Sequence, residues 1–462
     1  MNSQVVLEMA EATVPGTSQS MGKVFMPLEP SPDETPAADY VPPPTRVSVI
    51  KDKRGTYIPL RRDRLRNNLH FTVGLLELAN AGDFAANIWN VIPVPVYAIV
   101  FMAIGGTAAG ILSIFAFRDA ILAWANICFL RRQWKQAKQR RQHLQDCGLP
   151  THDIDVLLTL TFRELGTEFI NRFGMDVLMG GGAILISVGT YMAIGGKNRT
   201  VFEVSNILSG YLGNTPIAIY GLVNFIWGMY IWSRAREHTK AARKSIKGTK
   251  AFILVKRRSF LVQTYCAVNG TATLVGGVGS MLTATRWWAY VILIPVIISS
   301  FVCNLFWRRR IGYTRDYTDG EADMGTDRLI CALYVAVGAE SKLRNDKTGP
   351  TLTLLGKEGA SLSEVIAFIQ DNGLLEEYCI RILSIPEIRE HVCAIDHEMS
   401  ETELTVSTDD LVNSQSEYHS ILIQAAQDCI RDVGSRHFTS LERYLSEVLG
   451  ISLALNDASK AK

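Results

Sequence analysis

Charge is missing from long stretches of this 462-residue chain. Charged residues make up 20% of it and hydrophobic residues 48%, while soluble domains carry about 25% charge. Mean hydropathy is +0.12. The deficit is concentrated in blocks of about twenty residues or more without Asp, Glu, Lys or Arg, which excludes a disordered chain and a simple soluble globule. Signatures of chemistry are missing too. There is no H-E-x-x-H, no G-x-S-x-G, no Walker A loop and no paired C-x-x-C, so the usual metalloprotease, serine-hydrolase and nucleotide-binding devices find no support. Met1–Ala10 has neither a basic start nor an apolar run. Neither a cleaved signal peptide nor a transit peptide is expected, and the first apolar block is expected to act as a signal anchor.

The neutral blocks have the length of membrane spans. A hydrocarbon core about 30 Å thick needs about 20 apolar residues in helix. Val91–Phe117, Val177–Gly196, a span near 215–232 inside Val204–Ser233, one near 261–283 inside Ser259–Thr285, and Trp287–Trp307 meet that requirement. Trp287, Trp288 and Trp307 mark the ends of the fifth as an aromatic belt would. Pro93, Pro95 and Pro295 are expected to kink spans one and five.

Basic residues set the orientation. Arg131 to Arg141, Arg234 to Arg258 and Arg308-Arg309-Arg310 follow spans one, three and five, so these segments belong on the cytosolic side. Five spans then put the C-terminus in the cytosol and the N-terminus outside. The cluster Lys51 to Arg66 argues for a cytosolic N-terminus. An even count would allow that if Phe84–Leu130 were a helical hairpin, at the cost of placing Arg118 and Asp119 mid-membrane. The reading favours five, with four or six as alternatives.

Outside the spans, residues 1–66 are expected to form a disordered tail, first Pro-rich and then basic. Amphipathic cytosolic helices are expected over 120–172, where Leu158, Phe162, Leu165 and Phe169 recur with helical spacing. Residues 311–462 carry 13 Lys and Arg against 26 Asp and Glu and form an acidic cytosolic domain, expected to be all-α. Ser361 with Glu364 and Thr439 with Glu442 read as capping boxes, and Gly373, Gly434 and Gly450 as helix stops. Thr351–Leu355 reads as a short strand. The fold class is therefore all-α: a polytopic helical membrane protein, residues 67–310, with a cytosolic helical C-terminal domain.

Candidate sites are few. Asn198-Arg199-Thr200 is a glycosylation sequon beside the second span, and Cys128 beside Arg131-Arg132 is an acylation candidate. Gly106, Gly110, Gly181, Ser187, Gly276 and Ser280 are small residues that allow close helix packing or line a path, joined by the polar groups Asn224, Asn269 and Asn304. His391, Cys393, Asp396 and His397 form a His/Cys cluster without a known ligand spacing, so no metal or other cofactor is expected. Spans two to five, so bounded, hold no ionisable acid or base, which argues against an ion-coupled carrier. The leading expectation is a non-enzymatic membrane anchor and interaction module that recruits a protein partner through residues 311–462. The alternative is a transporter or channel for a neutral or amphipathic small molecule, and a membrane enzyme comes third. Expected partners are the bilayer, anionic lipid headgroups at the basic loops, the unknown protein partner and a second copy of the chain. No nucleic acid is expected. The membrane would be the plasma membrane or one of the endomembrane system.

Overall fold

The computed structural model describes residues 46–51, 57–59, 64–89, 93–195, 198–316, 324–345, 361–389 and 403–460. Helix dominates. In chain order the helices are α1 (Phe71–Ala81, wound as 3₁₀), α2 (Phe84–Ile88), α3 (Val96–Asp146), α4 (His152–Gly166), α5 (Met175–Ile194), α6 (Arg199–Asn206), α7 (Asn214–Ser245), α8 (Lys250–Thr283), α9 (Ala289–Phe306), α10 (Thr326–Asn345), α11 (Leu362–Asp371), α12 (Leu375–Leu383), α13 (Thr408–Val412), α14 (Ser416–Cys429) and α15 (Ser435–Lys460). Wider π turns join α4 to α5 at Thr167–Gly174 and α6 to α7 at Ile207–Leu212.

Three helices are long and apolar enough to cross a membrane: Val96–Asp146, the continuous His152–Ile194, and Ala289–Ile311. The two other neutral blocks form α7 and α8, where Asn224 and a run of Gly and Thr dilute the hydropathy. α3 is one helix of 51 residues, about 77 Å long at 1.5 Å per residue. It therefore continues far past any apolar span and carries Arg131 to Arg141 on a rigid rod. Pro95 sits at its N-cap, where a missing N–H costs nothing. Pro93 and Pro95 thus precede the helix instead of kinking it, and only Pro295 lies inside one.

Small residues bring the helices together. A Cβ at Gly106 would meet the Tyr191 ring, and one at Gly110 would meet Ser187 Oγ. Ser187 donates to the Gly106 carbonyl at 2.7 Å, so α3 and α5 touch backbone to side chain. A Cβ at Gly221 would overlap the Thr273 carbonyl oxygen, and one at Gly277 would sit 2.8 Å from Ala218 Cα. α7 and α8 therefore lie as close as their backbones allow. Gly221→Leu should push them apart and cost about 1–3 kcal/mol, read as a lower unfolding midpoint of the purified protein in detergent. The bundle is apolar outside: Val96, Ile104, Ile121, Ile226 and Ile298 are each more than half exposed.

The C-terminal region has its own core around Leu333, Ile366, Tyr378, Cys429 and Phe438, and that core also takes in Ala241 and Val255 from the ends of α7 and α8. Among the described residues it differs from the expected all-α domain by the strand Glu403–Ser407 and the two-residue strand Arg315–Asp316. The first pairs antiparallel with Arg46–Lys51, which also pairs with Tyr57–Pro59. The register sets Val47 opposite Val406 and Val49 opposite Leu404, and Val49 is fully buried. A second pairing joins Arg64–Leu65 to Arg315–Asp316. Strands thus form inside the stretch read as a disordered tail, because Val47 and Val49 bury an apolar face. The capping box at Ser361 and Glu364 forms, and Gly373 takes φ +68° at the end of α11. The box at Thr439 does not form. Its hydroxyl donates to the Ser435 carbonyl within a helix that runs unbroken from 435 to 460. Gly450 lies inside that helix and permits close approach to the His238 ring, so it serves packing, not termination. Thr351–Leu355 and the His391–His397 cluster lie outside the described residues.

Candidate functional site

Within the continuous helix His152–Ile194, residues 162–177 are amphipathic with their faces reversed. Phe162 and Phe169 are 46% and 45% exposed, whereas Glu164, Arg172 and Asp176 are buried. Glu164, Glu168, Arg172 and Asp176 recur every four residues, so they share one helix face. An aqueous helix buries its apolar face. Here the charged face turns inward and the aromatic face outward.

Arg172 is the hub of the inner face. It forks onto Asp119 of α3 with Nε–Oδ2 at 2.8 Å and Nη2–Oδ1 at 3.0 Å. It also donates to Asn68 Oδ1 at 2.7 Å and to Glu168 Oε2 at 3.3 Å. Asn126 donates to Glu168 at 3.0 Å, and the His70 amide donates to Asp119 at 2.9 Å. Two parallel N–H···O bonds to a carboxylate form the strongest geometry available to arginine.

Residues 70–88 run antiparallel to α9 through the bundle. At one end Asn304 donates to the His70 carbonyl at 3.3 Å and Phe71 packs edge-on to Phe301. In the middle Glu77 lies beside Gly276 and Val296. At the far end Tyr290 donates to Asp83 at 2.8 Å, and Asn87 bonds both. The fourteen residues from Tyr290 to Asn304 span about 21 Å of helix, so this segment traverses most of the bundle. It brings Glu77, Asn80 and Asp83 inside, each at most 2% exposed, and Asn80 donates to Glu77 at 2.6 Å.

Asp176 is fully buried and neither carboxylate oxygen accepts from a donor among the described residues, while the Asp119 carboxyl lies close enough to share a proton with it. It lies within electrostatic reach of Asp119, Arg172 and Glu168, and of Tyr220 on α7, which also feels Glu77. Two cavities of about 70 and 40 Å3 adjoin this cluster and share Thr167, Glu168, Asn171, Tyr265 and Trp307. Asn304 Oδ1 and Asn171 Oδ1 line them without partners. One water needs about 10–15 Å3, so several fit. The orphan side-chain oxygens of Asp176, Asn171, Asn224 and Asn304 leave acceptors in want of a donor or a cation.

A second ionic centre joins the bundle to the C-terminal region. Glu447 of α15 is 2% exposed. It pairs with Arg163 of α4, with Arg258 of α8 at 2.8 Å, and with His238 of α7 at 3.5 Å. Burial alone would push the Glu447 carboxyl up. Arg163, then Arg258 and His238, override it and hold it well below the usual carboxylate range. Beside it Arg315 forks onto Glu164, with Nε–Oε1 at 2.8 Å, and donates to Gln133. Tyr313 donates to Glu164 at 2.7 Å.

No family model, curated protein or solved structure matches this chain. The arrangement is therefore interpreted from its own chemistry.

The residues singled out from sequence do not converge on one site. Gly106, Gly110 and Ser187 meet at the α3–α5 contact. Asn269 and Asn304 line the inner cavity, and Gly276 makes room for Glu77. Asn224 donates to Thr273 at 2.8 Å between α7 and α8, while Ser280 is buried with its hydroxyl unpartnered. Gly181 faces open space; Gly180 and Gly182 make the close approaches. Asn198 caps α6 by accepting from the Thr200 amide at 2.9 Å, and Cys128 is exposed. The absence of ionisable groups holds for spans two to five as bounded but not for the bundle. Glu77, Asp83, Asp119, Glu168 and Asp176 escaped because each sits outside a neutral block. The four-residue spacing from Glu164 to Asp176 is the signal that could have found the charged face.

Proposed function

We propose that the chain is a polytopic membrane protein that moves a small cation, the proton included, through its polar interior. The observation that carries this is the charge balance: three carboxyl groups, Asp119, Glu168 and Asp176, lie around one guanidinium, Arg172, and two more, Glu77 and Asp83, are buried further along 71–88. In a low dielectric every surplus negative charge needs a proton or a bound cation, and Glu77, Asp83 and Asp176, which fall inside the crossings proposed below, are costly at membrane depth and tied to function. The expectation of a neutral or amphipathic solute rested on spans without charge, so the solute class changes with it.

The topology proposed is six crossings: 71–88, 96–118, 175–194, 214–232, 261–283 and 289–307. Both termini then face the cytosol, and every arginine-rich segment falls on that side as the positive-inside rule asks. The sixth crossing is 71–88, not the hairpin Phe84–Leu130. The reversed faces of residues 162–177 support burial of this end of the bundle in a non-aqueous surround. Glycosylation sequons engineered before residue 46 and after residue 460 should stay unmodified. Modification of the first would restore five crossings.

The direct test is flux. Purified protein in vesicles holding a pH-sensitive dye, under an imposed potassium diffusion potential, should pass protons or alkali cations faster than empty vesicles. Asp176→Asn and Glu77→Gln should each lower the rate at least tenfold. Flux equal to that of empty vesicles would overturn the reading.

A second reading, the membrane-anchored interaction module, is supported by the Glu447 joint, which fixes residues 311–462 to the bundle as a platform. A stoichiometric partner that co-purifies from detergent and is lost on deleting 311–462 would favour it.

A further inference from the structure

The largest cavity among those described lies away from the inner carboxyl groups. It measures about 450 Å3 and opens between the end of α9 and the start of α15. Four guanidiniums surround it, Arg308, Arg309, Arg436 and Arg443, and among the described residues no Asp or Glu joins its lining. Arg257, Arg258 and Arg310 border a neighbouring cavity that shares Arg443. The one acid there, Glu442, is outnumbered.

Arg308, Arg309 and Arg436 are exposed, and Arg308 also lies over the Phe71 ring at 6.0 Å. Arg443 is the exception: it donates to the Gly312 carbonyl at 2.8 Å and to the Arg309 carbonyl, which braces the wall. Burial, then the nearby Arg258, pulls the Arg443 guanidinium down to about 10. Like charges crowded around an open space are unfavourable unless an anion fills it. Thr439, Ser440 and Asn67 also line it, their donors engaged with the Ser435, Thr314 and Arg308 carbonyls. Forked guanidiniums suit phosphate oxygens better than a single carboxylate.

Position identifies the source of the phosphate. Arg308 follows Trp307 directly, at the end of an apolar helix whose Val291, Ile294, Ile298 and Val302 are more than half exposed. On the membrane reading above, the cavity then sits at headgroup depth on the cytosolic face, where basic pockets between helices take phosphorylated headgroups.

We propose that this cavity is a binding site for a phosphomonoester-bearing lipid headgroup, held by Arg308, Arg309 and Arg436 against the wall that Arg443 braces. This depends on the membrane reading alone and not on cation flux, so either claim can fail without the other.

The test is ligand-induced thermal stabilisation of the full-length protein in detergent micelles. Titration with phosphatidylinositol 4-phosphate should raise the unfolding midpoint saturably. Phosphatidylserine at equal total charge should raise it much less. The double variant Arg308→Gln, Arg436→Gln changes two exposed side chains and should weaken the apparent affinity roughly 30-fold, from the surface contribution of two cations. Ser435→Glu places a carboxylate in the cavity and should weaken it as well, so the test stands even if the double variant folds poorly. Equal stabilisation by phosphatidylserine, or unchanged affinity in both variants, would overturn the site. Equal affinity for soluble inositol 1,4-bisphosphate would overturn the lipid assignment in favour of a free phosphate.

Discussion

Glu447→Ala should detach the C-terminal region from the bundle, at a cost of about 3–5 kcal/mol for breaking a buried ion pair from one side. The cost comes from what stays behind. Arg163 and Arg258 are 11% and 7% exposed, so water reaches them poorly once their counter-charge is gone. Trypsin should then cut after Arg257 or Arg258 far faster than in the unaltered protein, and the unfolding midpoint in detergent should fall. If cleavage and midpoint stay unchanged, Glu447 does not hold the joint. Acid should act in the same direction. The native Glu447 carboxyl lies well below its unfolded value, so its stabilisation is fully present above about pH 4.3. It is lost as pH falls through the lower native value. Glu447→Gln keeps the shape and should lose that part of the acid dependence.

The joint also explains why the C-terminal region was legible in outline and not in detail. Ser361, Glu364 and Gly373 mark the ends of α11 by local chemistry, and local chemistry is what a sequence displays. Thr439, Glu442 and Gly450 carry the same residue types, yet they lie inside one helix. There tertiary contact decides: Gly450 makes room for His238, and Glu447 must reach three helices at once. The pairing of Arg46–Lys51 with Glu403–Ser407 joins residues about 350 positions apart. No window along the chain displays such a partner.

The same contrast divides the bundle. The neutral blocks Val177–Gly196 and Trp287–Trp307 do fall on helices, α5 and α9, though the first belongs to a helix that runs on from His152 and takes in Asp176. The segment 71–88 was not marked by hydropathy, because Glu77, Asn80 and Asp83 make it read as polar loop. It can enter an apolar environment only by meeting Asn304, Tyr290 and Asn87, which sit more than 200 positions away or at its own far end. The stripe Glu164, Glu168, Arg172, Asp176 was visible, but the aromatic stripe on the opposite face was the more familiar pattern. Which face turns inward depends on the solvent around the helix, and four residues of spacing carry no information about that.

Arg172→Leu tests the inner cluster more severely than any single acid does. Asp119 is fully buried and Arg172 is 5% exposed, so the substitution leaves Asp119 and Glu168 without their cation. A loss of about 3–5 kcal/mol is expected, seen as a lower unfolding midpoint and poor recovery from the membrane. The double variant Arg172→Gln, Asp119→Asn removes both charges together. Amides in those positions can still bond to Asn68, the His70 amide and Glu168, so most of the loss should return. A double-mutant cycle measures the coupling as the departure from additivity. Strong coupling with restored stability marks Arg172 and Asp119 as one structural unit and leaves Asp176, which has no such partner, as the group free to exchange a proton or cation. Additive losses would mean that Arg172 serves the other carboxyl groups equally, and Asp176 would no longer stand apart from Asp119.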